Sequence, residues 1–252
     1  MTATESEVPL KDLVDESRRV LDAARQRGVV VRLAGGLAIW HLCPAARNPP
    51  LSRQYGDLDL AITTGGVKPL TDLMLGLGYR PEARFNAMNG NTRLQFNDLA
   101  NSRRVDVFVN ELRMCHVIDF KDRIELLDAT LSAADLLLTK LQIVELNRKD
   151  LLDAIALLCD QKIGLGMSAG IDSGYLQRVW GQDWPLWRTS QLTLGKIGEA
   201  VPSILDENRS AVVLESVTAL GTVIESGPKT LRWRLRARVG ERIRWYELPE
   251  EL

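Results

Sequence analysis

Two aspartates one residue apart, Asp57 and Asp59 in GDLDLAI, are the side chains of this 252-residue sequence most suited to chemistry. A strand alternates its side chains, so both acids point to one face while Leu58, Leu60 and Ile62 point to the other. Two carboxylates about 7 Å apart on one face repel each other unless a cation sits between them. Their hard oxygens suit Mg²⁺, which takes carboxylates, waters and phosphates. A solvated strand edge would carry the same pattern. Asp106 interrupts the run RVDVFV, with Val105, Val107 and Val109 on the opposite face. An acid inside an otherwise buried strand needs a partner. If the two strands are neighbours, Asp106 adds a third carboxylate, and three clustered carboxylates can hold two metal ions. A salt bridge to Arg103 or Arg104 is the plainer use of Asp106. Upstream, Gly35 and Gly36 stand between a strand and a helix, where glycines let backbone N–H groups approach a phosphate or make a tight turn.

Positioning these residues takes an α/β frame. Apolar spacing predicts a helix over residues 10–27, closed by Gly28, then a buried strand at 29–34 and a helical stretch after the glycine pair. Residues 43–56 hold three prolines and read as a loop. A strand at 57–62, a helix at about 67–77, and strands near 79–85, 92–97 and 104–109 follow, the pattern of a mixed sheet flanked by helices. Ser132 and Asp135 form a capping box that opens a helix over 133–146. Its apolar stripe is Leu137, Leu141 and Val144, with Lys140 at the margin, either crossing toward a cleft or snorkelling to the surface. A break at 147–149 precedes a helix over 150–160, for which Asp150 is a natural N-cap. After the glycine-rich stretch KIGLGMSAG the composition changes, and residues 171–252 read as helices holding five of the six tryptophans. The division expected is an α/β domain over 1–130 and a helical domain over 131–252, with the boundary between 120 and 170 and a cleft between the domains.

Four segments in order, GGLAI (35–39), RQYGDLDL (53–60), VDVFV (105–109) and TKLQIVELNRKDLLD (139–153), resemble the DNA polymerase β-like nucleotidyltransferase superfamily, and within it the AbiEii/AbiGii-toxin type. The resemblance covers roughly residues 30–160. It implies that Gly35 and Gly36 cradle nucleotide phosphates, that Asp57 and Asp59 ligate Mg²⁺, and that Asp106 completes the metal site and accepts a proton from the acceptor hydroxyl. It further implies that Lys140 contacts the triphosphate, that Asp150 or Asp153 supports the site, and that Arg53 meets phosphate. The chain departs from the family pattern at Tyr55, where the family has Thr, and at Lys149–Asp150, where it has Arg–Asp. The implied reaction is transfer of an NMP group from an NTP to a hydroxyl of RNA, such as tRNA, or of protein, and the toxin likeness adds an antitoxin partner. An antibiotic or other small-molecule acceptor, and a non-catalytic regulatory protein on the same scaffold, are the alternatives.

Composition sets outer limits. With 32 basic and 33 acidic side chains, a net charge of −1 and 45% hydrophobic residues, the chain can bury a core and has no overall attraction for polyanions. Its charge is unevenly placed, however. KTLRWRLRARVGERIRWY (229–246) carries one Lys and six Arg against Glu241 alone. Interleaved Arg and Trp can bind RNA by phosphate pairing and base stacking; alternatively Leu231, Leu235 and Val239 pack inward and the arginines face solvent. Three separated cysteines exclude a disulfide framework and a Cys-rich zinc site, and His41 and His116 lie 75 residues apart with no nucleophile motif. No GxxxxGK[ST] loop is present. The opening MTATESEVPLKDL is unlike a secretory signal, and no apolar run reaches the roughly 20 residues of a membrane span, so the expectation is a cytoplasmic protein off the membrane.

Overall fold

The computed structural model describes residues 8–166 and 170–248, which leaves the acidic start (1–7), residues 167–169 of the glycine-rich stretch and residues 249–252 outside it. The chain forms two compact units, neither continuous in sequence: residues 1–38, 54–112 and 119–131 in the first, and 39–53, 113–118 and 132–252 in the second.

The first unit is built on a mixed five-stranded sheet. Its strands are β1 (Arg32–Leu33), β2 (Leu58–Ile62), β3 (Arg80–Pro81), β4 (Arg93–Asp98) and β5 (Arg103–Val109), in the order β1-β2-β5-β4-β3. β2 and β5 are parallel and the other pairs antiparallel. Strand alternation sends Leu58, Leu60 and Ile62 of β2, and Val105, Val107 and Val109 of β5, into the core. Helix α1 (Leu13–Gln26) begins at Asp12, whose carboxylate accepts from the N–H groups of Val14 and Asp15. Its buried Glu16 accepts from Arg19 and from the hydroxyl of Tyr79 at 2.5 Å. Helix α2 (Gly35–Leu42) starts on the first glycine of the pair, and α3 (Val67–Gly76) follows β2.

Two expectations for this unit change. The buried run at 29–34 pairs only at Arg32 and Leu33, and the strand near 79–85 is two residues of β3 followed by a short helix, α4 (Ala83–Asn89). Pro81 explains the second change, because it has no N–H to continue a ladder.

In the second unit, α5 (Ala133–Leu141) opens with the expected box: Ser132 accepts from the Asp135 N–H at 3.3 Å and donates to its carboxylate at 2.5 Å. The helix stops at Leu141, five residues early. α6 (Arg148–Asp160) is capped by Asn147, which accepts from the Asp150 N–H, so Asp150 lies in the first turn and is not the cap. Four more helices follow: α7 (Ser173–Gln182), α8 (Trp184–Ile204), α9 (Glu207–Ser226) and α10 (Leu231–Val239). Trp180 is fully buried among them, donating from Nε1 to Ser190 Oγ at 3.0 Å.

Helix α10 turns the opposite way from the inward-leucine expectation: Leu231 is 70% and Leu235 52% exposed. Its inner contact is Trp233, edge-on to Trp187 at 5.1 Å. The Trp233 indole takes the inward position against Trp187 and sets the rotation of this short helix. Among the described residues no helix is long and apolar enough to cross a membrane.

His116 is held by a hydrogen-bond chain in this unit. Trp245 Nε1 donates to Thr189 Oγ1 at 3.0 Å, and the Thr189 hydroxyl lies 2.8 Å from His116 Nε2. Thr189 Oγ1 takes the indole proton on one lone pair and donates to or accepts from Nε2 according to the imidazole's tautomer. Burial pushes the His116 pKa down to about 4, against the opposing charge of Asp183. The unfolded chain therefore binds a proton near pH 6.5 that the folded chain refuses until about pH 4. Stability contributed by the neutral ring is complete above pH 6.5 and is lost as pH falls toward 4, by on the order of 3 kcal/mol. Urea melts at pH 7.0 and 4.5 should show this loss in the wild type and little of it in His116→Gln.

Candidate active site

The nine residues singled out in the sequence fall into two groups, one in each unit. In the first unit, β2 and β5 are adjacent and parallel, with Asp59 directly in register with Asp106. Aligned residues of parallel neighbours project from the same face about 5 Å apart, so these two carboxylates flank one point on the sheet. Asp57 stands one residue before β2 and is exposed.

Gly35 explains itself against Asp59. It has φ +58°, in the left-handed region, and a Cβ built on it would lie 2.0 Å from Asp59 Oδ2. The carboxylate of Asp59 thus rests against the bare Cα that starts α2, and the backbone adds a bond from the Ala34 N–H to the Asp59 carbonyl at 2.9 Å. Gly36 is the buried second residue of the same helix.

Asp106 is buried and has a partner, as an acid in a core strand must, but not on its own strand. Its Oδ1 accepts from Arg93 Nε at 3.0 Å, and from Gln95 Nε2 at 3.0 Å, with Arg93 Nη2 at 2.9 Å. Both partners project from β4, where Gln95 faces Asp106 across the ladder. Arg103, the partner expected, pairs with Asp98 instead. Arg104 lies two residues before Asp106 and is exposed. Arg93 and Gln95 were missed by sequence reasoning, although their signal was there: they are the polar positions alternating with Leu94 and Phe96 in TRLQF.

The fit to Mg²⁺ is that of a carboxylate pair. Among the described residues no three His, Cys, Asp or Glu side chains cluster closely enough to hold a metal by themselves. Asp59 and Asp106 supply two hard anionic oxygens donors in register, which matches a cation that keeps several waters and takes one or two carboxylates plus substrate phosphates.

The second group gathers Arg53, Lys140, Asp150 and Asp153. Asp153, on the buried face of α6, receives both arms of Arg53: Nε to Oδ1 and Nη2 to Oδ2, each at 2.8 Å. Lys140 Nζ lies 2.9 Å from Asp153 Oδ2 and 2.7 Å from Asp150 Oδ1. Lys140 is 7% exposed, which overturns the snorkelling reading. Burial pushes its ammonium pKa down, but the charges of Asp153 and Asp150 outweigh burial and hold it above the ordinary lysine value. For Asp153, burial raises the pKa while Lys140 and Arg53 lower it, and the cations prevail. Two cations and two anions therefore compensate each other: Arg53 forks onto Asp153, and Lys140 bridges Asp153 and Asp150.

No protein-family model matches the chain, and no curated protein sequence matches it. Among solved structures it is similar to the antibiotic-resistance factor ANT(2″)-Ia, with a TM-score of 0.41 and 12% identity over 91% of this chain and 97% of that one.

Proposed function

We propose that this chain is a Mg²⁺-dependent nucleotidyltransferase that moves an NMP group from an NTP to a hydroxyl of an RNA or protein acceptor, in the manner of a toxin with a cognate antitoxin. The observation that carries the reading is the Asp59–Asp106 register, seated against the glycine that begins α2.

On this reading Asp59 and Asp106 hold the cation, while Asp57, expected as a third ligand, stands exposed one residue before β2 and outside any three-acid cluster among the described residues. Bound there, Mg²⁺ would offset the negative charge of the triphosphate and of the attacking oxygen. The protein's own contributions are positional. Gly35, with no side chain, lets a phosphate oxygen come close to the N–H groups at the start of α2, where the helix dipole favours an anion. Arg93 and Gln95 fix the Asp106 carboxyl in one orientation through Oδ1. Placed beside the acceptor hydroxyl, the Asp106 carboxylate would take up its proton as the oxygen attacks the α-phosphorus and pyrophosphate leaves. In the second unit Asp150 and Asp153 hold Lys140 and Arg53 in place.

The test is incubation with each α-³²P-labelled NTP and Mg²⁺, with total tRNA, an aminoglycoside panel, or the protein alone as acceptor. Label on RNA or on protein, abolished in the Asp57→Asn/Asp59→Asn double variant, is the expected result. Label on the aminoglycosides alone would move the acceptor to small molecules. Absence of both transfer and Mg²⁺–NTP binding by calorimetry would leave a regulatory protein on a nucleotidyltransferase scaffold.

A further inference from the structure

The basic C-terminal stretch is not absorbed by the transfer chemistry, and the fold gives it a definite form. Seven cations stand against one acid over residues 229–246 in a chain of net charge −1. That acid, Glu241, is already paired with Arg188 at 2.6 Å. Arg232, Arg238, Arg242 and Arg244 are exposed and make no ion pair among the described residues. Four guanidinium groups without ion-pair partners on about a dozen residues make a local positive field.

The stretch also encloses a pocket of about 410 Å³, lined by Arg113, His116, Arg236, Arg244, Trp245 and Tyr246. Its aromatic wall is fixed. Trp245 is anchored through Thr189 and lies edge-on to Trp184 at 6.2 Å and to Tyr246 at 5.2 Å. Arg244 lies over the Tyr246 ring at 4.8 Å, and Arg236 over Trp184 at 4.6 Å. Arg236 also pins the turn, donating to the Gly240 carbonyl at 2.7 Å and the Ile243 carbonyl at 3.0 Å. Asp183 and Glu247 line the pocket too, but Asp183 caps α8 through the Leu186 N–H at 2.9 Å.

We propose that this segment and its pocket bind single-stranded nucleic acid, a base stacking in the Trp245–Tyr246 pocket and the backbone phosphates running along Arg232, Arg238, Arg242 and Arg244. Rigid aromatic faces beside unpaired guanidinium groups are the chemistry that holds an unpaired strand without sequence preference. An acidic peptide would satisfy the charges but has no ring for the aromatic wall. A duplex would offer phosphates but keeps its bases inside the stack. The inference does not depend on nucleotide transfer, because binding needs no NTP.

The experiment is fluorescence anisotropy with fluorescein-labelled U12 and dT12, a 12-base-pair duplex, a poly-glutamate peptide, and phosphatidylserine-containing vesicles, on the full chain. The expected result is binding to U12 or dT12, the ratio of the two deciding between RNA and DNA. Arg242→Ala/Arg244→Ala should weaken it at least tenfold and flatten the log–log salt slope by about 1.4, two phosphate contacts on a single strand. Tyr246→Ala should weaken binding about tenfold with the slope unchanged, and Tyr246→Phe should restore it. All three positions are at least partly exposed, and circular dichroism verifies that each variant is folded. No binding to either single strand at low salt, tighter binding to duplex, peptide or vesicles, or binding indifferent to these substitutions would overturn the proposal.

Discussion

Asp153→Ala is expected to destabilise the chain by about 3–5 kcal/mol, the largest stability effect of any single substitution in the candidate site. Asp153 is 2% exposed and takes three short contacts, two from Arg53 and one from Lys140. Removing it leaves a buried ammonium with Asp150 and takes both forked bonds from the Arg53 guanidinium. A buried charge without its partner costs more than the intact pair contributes, because desolvation is no longer offset. Replacing the cation as well should recover much of the loss, so Asp153→Ala/Lys140→Met is expected to be more stable than Asp153→Ala. Urea midpoints at pH 7 measure both, and a double variant no better than the single would show that the charges do not compensate as described. The acid dependence separates this cluster from His116. The Asp153 pKa is held below the unfolded carboxylate value, so its contribution is complete above about pH 4 and is lost as pH falls below that.

Asp59→Asn should have the opposite signature, with activity falling by about a thousandfold or more and stability nearly unchanged. The substitution keeps shape and removes a charge that faces Asp106 across one ladder step. Relieving that repulsion offsets whatever the lost contacts cost. Asp106→Asn should lose activity similarly but also some stability, since Arg93 then keeps only neutral acceptors and the rings of Phe85 and Phe108, 5.8 and 5.5 Å away. Labelled-NTP transfer with thermal melts on the same samples checks both. Retained transfer in Asp59→Asn would remove that carboxylate from the reaction.

The sheet was legible because its central strands carry strong alternation. Leu58, Leu60 and Ile62, and likewise Val105, Val107 and Val109, mark one face so clearly that the opposing acids had to share the other. That β2 and β5 are adjacent could only be conditional, since strand order is set by non-local pairing and not by local pattern. The same limit hid the partner of Asp106, which comes from β4 by register, whereas the neighbours in sequence, Arg103 and Arg104, turn elsewhere. Arg53, expected to meet phosphate, and Asp153, expected to support the site, lie 100 residues apart, and nothing in either segment announces that they meet. Helix α10 was misread because its heptad-like leucines outweighed a single Trp in the pattern, whereas indole packing decided the rotation.

The interleaving of the two units has a consequence for biosynthesis. Residues 39–53 leave the ribosome early, yet their partners in the second unit are Asp153, Asp160 and Gln161: Arg53 closes on Asp153, the Ala45 N–H on Asp160, and Gln161 on the Leu42 carbonyl. At about 5–20 residues per second, some 100 residues of further translation separate this segment from its partners by about 5–20 s. The first sheet becomes complete sooner, once β5 ends at Val109 and inserts between β2 and β4. Vectorial synthesis therefore favours an order in which the acid-bearing sheet forms first, while Ile39–Arg53 waits as an unpaired apolar and basic segment within reach of holding chaperones.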